Sequence, residues 1–321
     1  MMQLDHEQLR GIIPPMVTPL LERDRLDCDG LERLIKHVLG GGVHGLFLLG
    51  TTGEAPSLSH RLRGEVIKRG CDLGRGRVPV LVGITDTCFE ESLLTAYAAA
   101  DCGADAVVLA PPYYFPAGQA ELLEYLEHLV AQLPLPLVLY NMPSHTKLIF
   151  EPETVRRIAE HPSVIGLKDS SADMVYFHRL KRMMEDLAEF SLLVGPEQLL
   201  AESLLLGADG GVCGGANFWP ELYVSLYEAA RARDLERVAA LHQRVIEVCS
   251  TVYTVGRYGS STIKGVKCAL SCLGVCSDFM AEPFHRFREG ERERVGDLLA
   301  RLGFDLTRTA VRSGRRPCPA C

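Results

Sequence analysis

Short apolar runs recur along the chain, separated by amphipathic stretches. The runs lie at 12–17, 45–49, 78–84, 106–110, 135–141, 164–168, 192–195 and 210–213. Val, Ile and Leu dominate them, and they fail to alternate polar with apolar positions, which is the pattern of strands buried on both faces. Between the runs the apolar spacing becomes helical. In the stretch 31–39, Leu31, Leu34, Ile35, Val38 and Leu39 share one face, and Gly40, Gly41 and Gly42 stop the segment. Ser59 can cap a helix carrying Val66 and Ile67, and Glu151 followed by Pro152 opens another over 154–158. Strands alternating with helices over connections this long require parallel neighbours. The expectation is a (β/α)8 barrel over residues 1–233, an α/β fold. A doubly wound open sheet is the alternative, because periodicity does not report closure. Helical periods at 235–251, 261–273 and 292–302 give a C-terminal helical extension of the same unit over 234–304. Residues 305–321, ending in the Arg- and Pro-rich stretch 312–321, are read as a disordered tail.

Composition narrows the class. The 321 residues are 47% hydrophobic and 23% charged, enough apolar material for a sizeable core. With 34 basic against 41 acidic side chains the net charge is −7, which argues against a nucleic-acid partner. Eleven cysteines, an odd number in a chain this long, read as reduced thiols of a cytoplasmic protein. Asp5, His6 and Glu7 precede the first apolar run, unlike a signal peptide, and no apolar run approaches the eighteen or so residues that span a bilayer. The expected protein is soluble, with no membrane partner.

A parallel barrel carries its chemistry at the C-terminal ends of its strands. Those positions hold Thr51 and Thr52, the stretch 111–114, Tyr140 with Asn141, and Lys168. Lys168 ends the run VIGLK, where a charged lysine is costly unless it is neutral or paired. Burial disfavours the ammonium and makes the amine nucleophilic enough to form a Schiff base with a carbonyl. The competing reading is a structural salt bridge, with Asp169 as the nearest carboxylate. Tyr140 ends the preceding run and can exchange protons at the same mouth, or be a core aromatic with a satisfied hydroxyl. The segment GTTGE at 50–54 offers two hydroxyls and a glycine-flanked turn whose N–H groups could cradle a carboxylate, or be an ordinary turn.

Taken together, GTTGE at 50–54, PPYY at 111–114, YNMPSHT at 140–146 and GLKDSS at 166–171 resemble, in order and spacing, the signatures of the dihydrodipicolinate synthase / N-acetylneuraminate lyase family of class I aldolases. The similarity runs from about residue 11 to 302. It implies a barrel in which Lys168 forms an imine with pyruvate, Tyr140 is the general acid/base, and Thr51 joins its proton relay. Thr51 and Thr52 would hold the pyruvate carboxylate, with Val212 and Gly195 also at the substrate. Tyr114 resembles the tyrosine that completes the relay from a neighbouring subunit, so a homo-oligomer, a dimer of dimers, is implied. The protonated imine is its own electron sink, so no cofactor and no metal is implied. His145 stands where true dihydrodipicolinate synthases typically carry an arginine that forks onto aspartate semialdehyde, a contact histidine cannot copy. Together with KDSS and the later GGANFWP at 214–220, this points to an aldolase cleaving a 2-keto-3-deoxy sugar acid or similar hydroxy-2-oxo acid into pyruvate and an aldehyde. The alternatives are the synthase that condenses pyruvate with aspartate semialdehyde and a non-catalytic 2-oxo acid sensor.

Other signals are set aside. GGGVHG at 40–45 matches a dinucleotide fingerprint but leads from helix to strand, the reverse of the required order. Cys268, Cys272 and Cys276 read as small core thiols, and Cys318 with Cys321 as a casual pair in the tail. Asp27 and Asp29 start the first helix. His60 resembles a lysine-inhibitor contact, but Ala55 and Pro56 do not keep that site's polar pattern.

Overall fold

The computed structural model describes residues 9–187 and 189–306. All eight apolar runs form parallel strands of one sheet: β1 (Gly11–Ile12), β2 (Leu46–Leu48), β3 (Val80–Gly83), β4 (Ala106–Leu109), β5 (Leu137–Asn141), β6 (Val164–Asp169), β7 (Ser191–Val194) and β8 (Gly210–Gly211). From β2 to β8 each strand pairs with the next in sequence, and β8 pairs with β1. The last seam is closed by backbone: Phe47 N donates to Pro14 O at 3.1 Å and Met16 N to Phe47 O at 2.8 Å. The sheet is therefore a barrel, not the open doubly wound alternative. Regular pairing of β1 is shorter than the run 12–17 because Pro14 and Pro15 have no N–H to donate, while Pro14 still accepts.

Helices α1 (Cys28–Gly40), α2 (His60–Gly74), α3 (Phe89–Asp101), α4 (Gln119–Val130), α5 (Pro152–Ile158), α6 (Met174–Met183), α7 (Leu200–Leu205) and α8 (Pro220–Arg231) follow the strands in turn. Their ends obey the local signals. Asp27 caps α1 by accepting from Gly30 N, and the helix stops at Gly40 with Gly42 at φ 82°. Ser59 caps α2 through Leu62 N. One departure precedes α1, where the segments Leu20–Glu22 and Arg25–Leu26 form an antiparallel hairpin. Those strands are too short to register as a period, and Asp24 turns between them at φ 55°.

Two apolar layers result from the alternation of side chains along each strand. Phe47, Leu81, Val108, Val138, Tyr140 and Leu193 point into the barrel and fill it. Their neighbours Leu46, Val82, Leu109, Leu139, Leu167 and Val194 point outward against the helices. Both layers are apolar, which is why the strands read as continuous runs. After α8 come α9 (Leu235–Thr251), α10 (Ser261–Cys272) and α11 (Glu289–Arg301). The stretch 312–321 lies outside the described residues. Among the described residues no helix is long and apolar enough to cross a membrane, and nine cysteines are free thiols.

Helix α10 is fastened to the barrel by a buried ion pair. Lys267 Nζ lies 2.5 Å from Glu54 Oε1 and donates to Phe279 O at 2.7 Å, while Glu54 Oε2 accepts from Ala281 N at 2.8 Å. The Lys267 side chain is 0% and that of Glu54 2% exposed, so either charge without the other would be stranded away from water. Replacing Lys267 by methionine is expected to lower the unfolding free energy by about 3–5 kcal/mol, measured by urea denaturation.

Candidate active site

Register brings the candidate groups together. In the pairing of β5 with β6, Tyr140 lies opposite Lys168, and both side chains face the barrel interior. Lys168 is 4% and Tyr140 6% exposed. The Lys168 Nζ sits 3.8 Å from the centroid of the Tyr140 ring and 5.1 Å from that of Phe47. Tyr140 Oη is 3.2 Å from Thr51 Oγ1, so a hydroxyl pair spans from β5 to the turn after β2. Burial pushes the Tyr140 hydroxyl up, but the Lys168 charge and hydrogen bonds with Thr51, Lys168 and Ser170 outweigh it, and the net shift is downward.

The salt-bridge reading of Lys168 does not fit Asp169. That carboxylate lies on the next residue of the strand, and its partners are Asn141 Nδ2 at 3.0 Å, Ser171 N at 3.0 Å and Ser171 Oγ at 2.9 Å. Burial raises its pKa despite those bonds. Asp169 and Asn141 thus tie the ends of β5 and β6 together beneath the mouth, and Asn141 Oδ1 reaches on to Phe150 N at 3.2 Å. Gly195 follows β7 and donates to Asp169 O at 2.7 Å. A Cβ there would fall 2.0 Å from Ser170 Oγ, so its small size leaves Ser170 the space beside Tyr140.

The GTTGE turn is held from three sides. Gly53 N and Ala55 N donate back to Gly50 O, and Glu54 N to Thr51 O. Thr18 Oγ1 donates to Gly53 O at 2.7 Å, and Arg63, itself paired with Asp86, donates to Ala55 O at 3.0 Å. Three N–H groups of the turn are thus consumed internally. Glu54 adopts φ 57° and turns its side chain to Lys267.

Above them lies a cavity of about 330 Å³ whose wall includes Thr51 and Tyr140 but not Lys168, whose Nζ packs against the Tyr140 ring. Thr51, Tyr140 and His145 line it, as do Ala55, Pro56 and Met142, and Ile263 and Phe284 close it from the C-terminal part of the chain. His145 sits on a one-turn helix, Pro143–Thr146, with its Nδ1 2.9 Å from Ser144 Oγ. Burial first, then the charges of Lys147 and Lys168, lower its pKa. Thr52 lies off the cavity wall, its Oγ1 toward Gly214. Val212 follows β8 with its N–H on Val194 O at 2.8 Å, buried in the same interior layer as Tyr140. Tyr114 is 75% exposed against Phe115, and the cavity is lined by its neighbour Tyr113. Within this one chain Tyr114 does not join the Tyr140–Thr51 pair.

The sequence reading missed the supports of the site. Glu197, buried after β7, accepts from Gly215 N at 2.8 Å and from the hydroxyls of Tyr223 and Tyr253, fixing the GGANF segment. Asn217 in that segment bonds Val17 N at 3.0 Å and Pro15 O at 2.9 Å, locking it to the strand-one end. A buried carboxylate with partners 18 to 56 residues away leaves no local period to find. His60, set aside above, pairs with Glu91 at 3.0 Å. Among the described residues no group of three or more His, Cys, Asp or Glu is arranged to hold a metal ion.

Comparison with known proteins agrees with this architecture. The model of the dihydrodipicolinate synthetase family matches residues 8–302. A 4-hydroxy-tetrahydrodipicolinate synthase of Methanoculleus marisnigri is 32% identical over 295 residues, 91% of this chain and 99% of the relative. A probable 2-dehydro-3-deoxy-D-pentonate aldolase of Escherichia coli K12 is 29% identical, over 92% of this chain and 98% of the relative. The solved dihydrodipicolinate synthase of Bacteroides thetaiotaomicron superposes with a TM-score of 0.89 at 60% identity, covering 91% of this chain and 98% of the other. With eight parallel strands closed into a barrel and this match over nearly its whole length, the chain is an enzyme that belongs to the dihydrodipicolinate synthetase family of lyases and aldolases.

Proposed function

We propose that the protein makes or breaks a carbon–carbon bond between pyruvate and an aldehyde through a Schiff base on Lys168, its substrate a 2-keto-3-deoxy sugar acid or similar hydroxy-2-oxo acid. The observation that carries the reading is the buried Lys168 amine against Tyr140, with the Tyr140 hydroxyl on Thr51. Since the Lys168 charge favours the Tyr140 phenolate, that phenolate can take a proton from the amine beside it. That transfer yields the neutral amine, which attacks the 2-oxo carbon. Tyr140, relayed by Thr51, then protonates the departing hydroxyl as water leaves and the imine forms. Tyr140, left as a phenolate, takes the proton of the C4 hydroxyl as the C3–C4 bond breaks, the electron pair of that bond passes into the protonated imine and the aldehyde departs; the enamine takes a proton at C3, and water hydrolyses the resulting imine to pyruvate and the free Lys168 amine. Thr51 on the cavity wall and the backbone N–H of Thr52 beside it hold the carboxylate, with Gly195 and the backbone of Val212 near by. Tyr114, exposed on this chain, completes the relay of a neighbouring copy in a cytoplasmic homo-oligomer. A non-catalytic sensor would need no such nucleophile.

The lining supports a neutral aldehyde. His145, held toward its uncharged form, replaces the arginine fork, and the cavity is lined by no lysine or arginine among the described residues. Glu54, the one carboxylate on it, is spent on Lys267. A second reading, condensation of pyruvate with aspartate semialdehyde, is favoured by the 60% identity to the Bacteroides thetaiotaomicron synthase.

Borohydride reduction with pyruvate is expected to leave a reduced adduct on the Lys168 peptide and none in Lys168→Ala, by peptide mass analysis. An adduct elsewhere would refute the scheme. Initial rates over neutral hydroxyaldehydes and aspartate semialdehyde separate the two readings, with the former expected to be faster. His145→Arg should raise kcat/KM for aspartate semialdehyde about 10- to 100-fold, the worth of a charge-assisted hydrogen bond. Lys168→Met removes the cation beside Tyr140 and leaves the burial cost, so the Tyr140 pKa should rise. A pH titration of tyrosinate absorbance, assigned against Tyr140→Phe, measures that shift.

A further inference from the structure

The active-site cavity has walls from two parts of the chain. The barrel supplies Phe47, Val108 and Tyr140 of its interior layer, and the chain after the barrel supplies Ile263 and Phe284. Ile263 and Phe284 are both half-buried, although Lys267, one turn further along α10 than Ile263, is fully buried.

One carboxylate fixes the second wall against the first. Glu54, in the turn that carries Thr51, pairs through Oε1 with Lys267 and accepts through Oε2 from Ala281 N at 2.8 Å. Residues four apart share a helix face, so the face of α10 that brings Lys267 to Glu54 also carries Ile263 to the cavity. Ala281 O in turn accepts from Phe284 N at 3.0 Å. Both wall residues are therefore tied to the turn of Thr51. Ile263 is branched at Cβ and stiff about χ1, so it does not swing aside freely.

We infer, on the Schiff-base reading of Lys168, that Ile263 and Phe284 determine specificity for the aldehyde: they meet its end remote from the carbonyl and select a short chain whose last carbon is uncharged. The bond forms or breaks beside the imine, at the barrel wall that carries Tyr140, so the rest of the aldehyde extends toward the facing wall. There it meets a branched alkyl group and an aromatic ring, neither of which offers a hydrogen bond. Each carbon beyond the available length must displace one of them. A phosphate or carboxylate at that end would lose its water and gain no partner, because the cavity is lined by no lysine or arginine among the described residues.

The test compares kcat/KM for D-glyceraldehyde, D-erythrose, D-glyceraldehyde 3-phosphate and aspartate semialdehyde, each with pyruvate. The unsubstituted enzyme is expected to prefer glyceraldehyde to the other three. Ile263→Ala and Phe284→Leu should each raise the ratio of erythrose to glyceraldehyde about tenfold, the worth of roughly one methylene in a pocket. Ile263→Lys should raise the ratio of the phosphate to glyceraldehyde about tenfold, through a charge-assisted hydrogen bond at the remote end. A gain of this kind does not arise from a variant that merely folds poorly. Ratios unchanged in all three variants overturn the inference, as does a preference of the unsubstituted enzyme for the phosphate or for aspartate semialdehyde. Borohydride trapping of pyruvate in the same preparations separates the two levels. Trapping on Lys168 with unchanged ratios refutes the role of this wall alone, whereas no trapping on Lys168 in the unsubstituted enzyme refutes the Schiff base and the wall's role with it.

Discussion

The site depends on the register of β5 against β6. Side chains alternate along a strand, so a slip of one residue would turn Lys168 out among the helices and put Asp169 inside. Pairing Tyr140 with Lys168 sets both on one interior layer, where the amine meets the aromatic face at 3.8 Å. Asn141 and Asp169, the next pair along, face the other way and lock the same register through their 3.0 Å hydrogen bond. One residue pair therefore does the positioning, and its neighbours hold it. The cost of enclosing Tyr140 is met locally, by its hydrogen bonds and by the Lys168 charge beside it.

The second requirement is that Thr51 reach Tyr140 from a different strand. The GTTGE turn cannot rely on sheet pairing, since it lies beyond the end of β2. It is held by its own backbone bonds, by Thr18 and Arg63, and by the Glu54–Lys267 pair that reaches into α10. The helices after the barrel are thus part of the site's support. They also supply Ile263 and Phe284 to the cavity wall, so the space open to a second substrate is bounded by chain remote from the lysine in sequence.

Most of the barrel was legible in the chain. All eight runs became strands because a parallel barrel buries both strand faces, which removes polar positions and leaves unbroken apolar stretches. Glycines 40–42, Ser59 and Asp27 bounded helices through interactions spanning a few residues, which a local reading captures. The hairpin before α1 escaped because its strands are two and three residues long. Lys168, Tyr140 and Thr51 were found because strand ends are where a barrel exposes its chemistry, and His145 through the family resemblance. Glu197, Asn217 and Lys267 were not, because their partners lie far away in sequence.

By itself the sequence determined the eight alternating strand–helix units, the strand-end positions of the reactive groups, and the presence of a histidine at 145. Each follows from short-range patterning or from the identity of one residue. Only the tertiary structure decided closure, through Phe47 bonded to Pro14 and Met16, and only it decided that Lys168 faces Tyr140 and not Asp169. It also decided that Glu54 is spent on Lys267 and that Thr52 lies off the cavity while Tyr113 lines it. These outcomes depend on which strand face turns inward and which distant elements meet, and local propensity does not encode either.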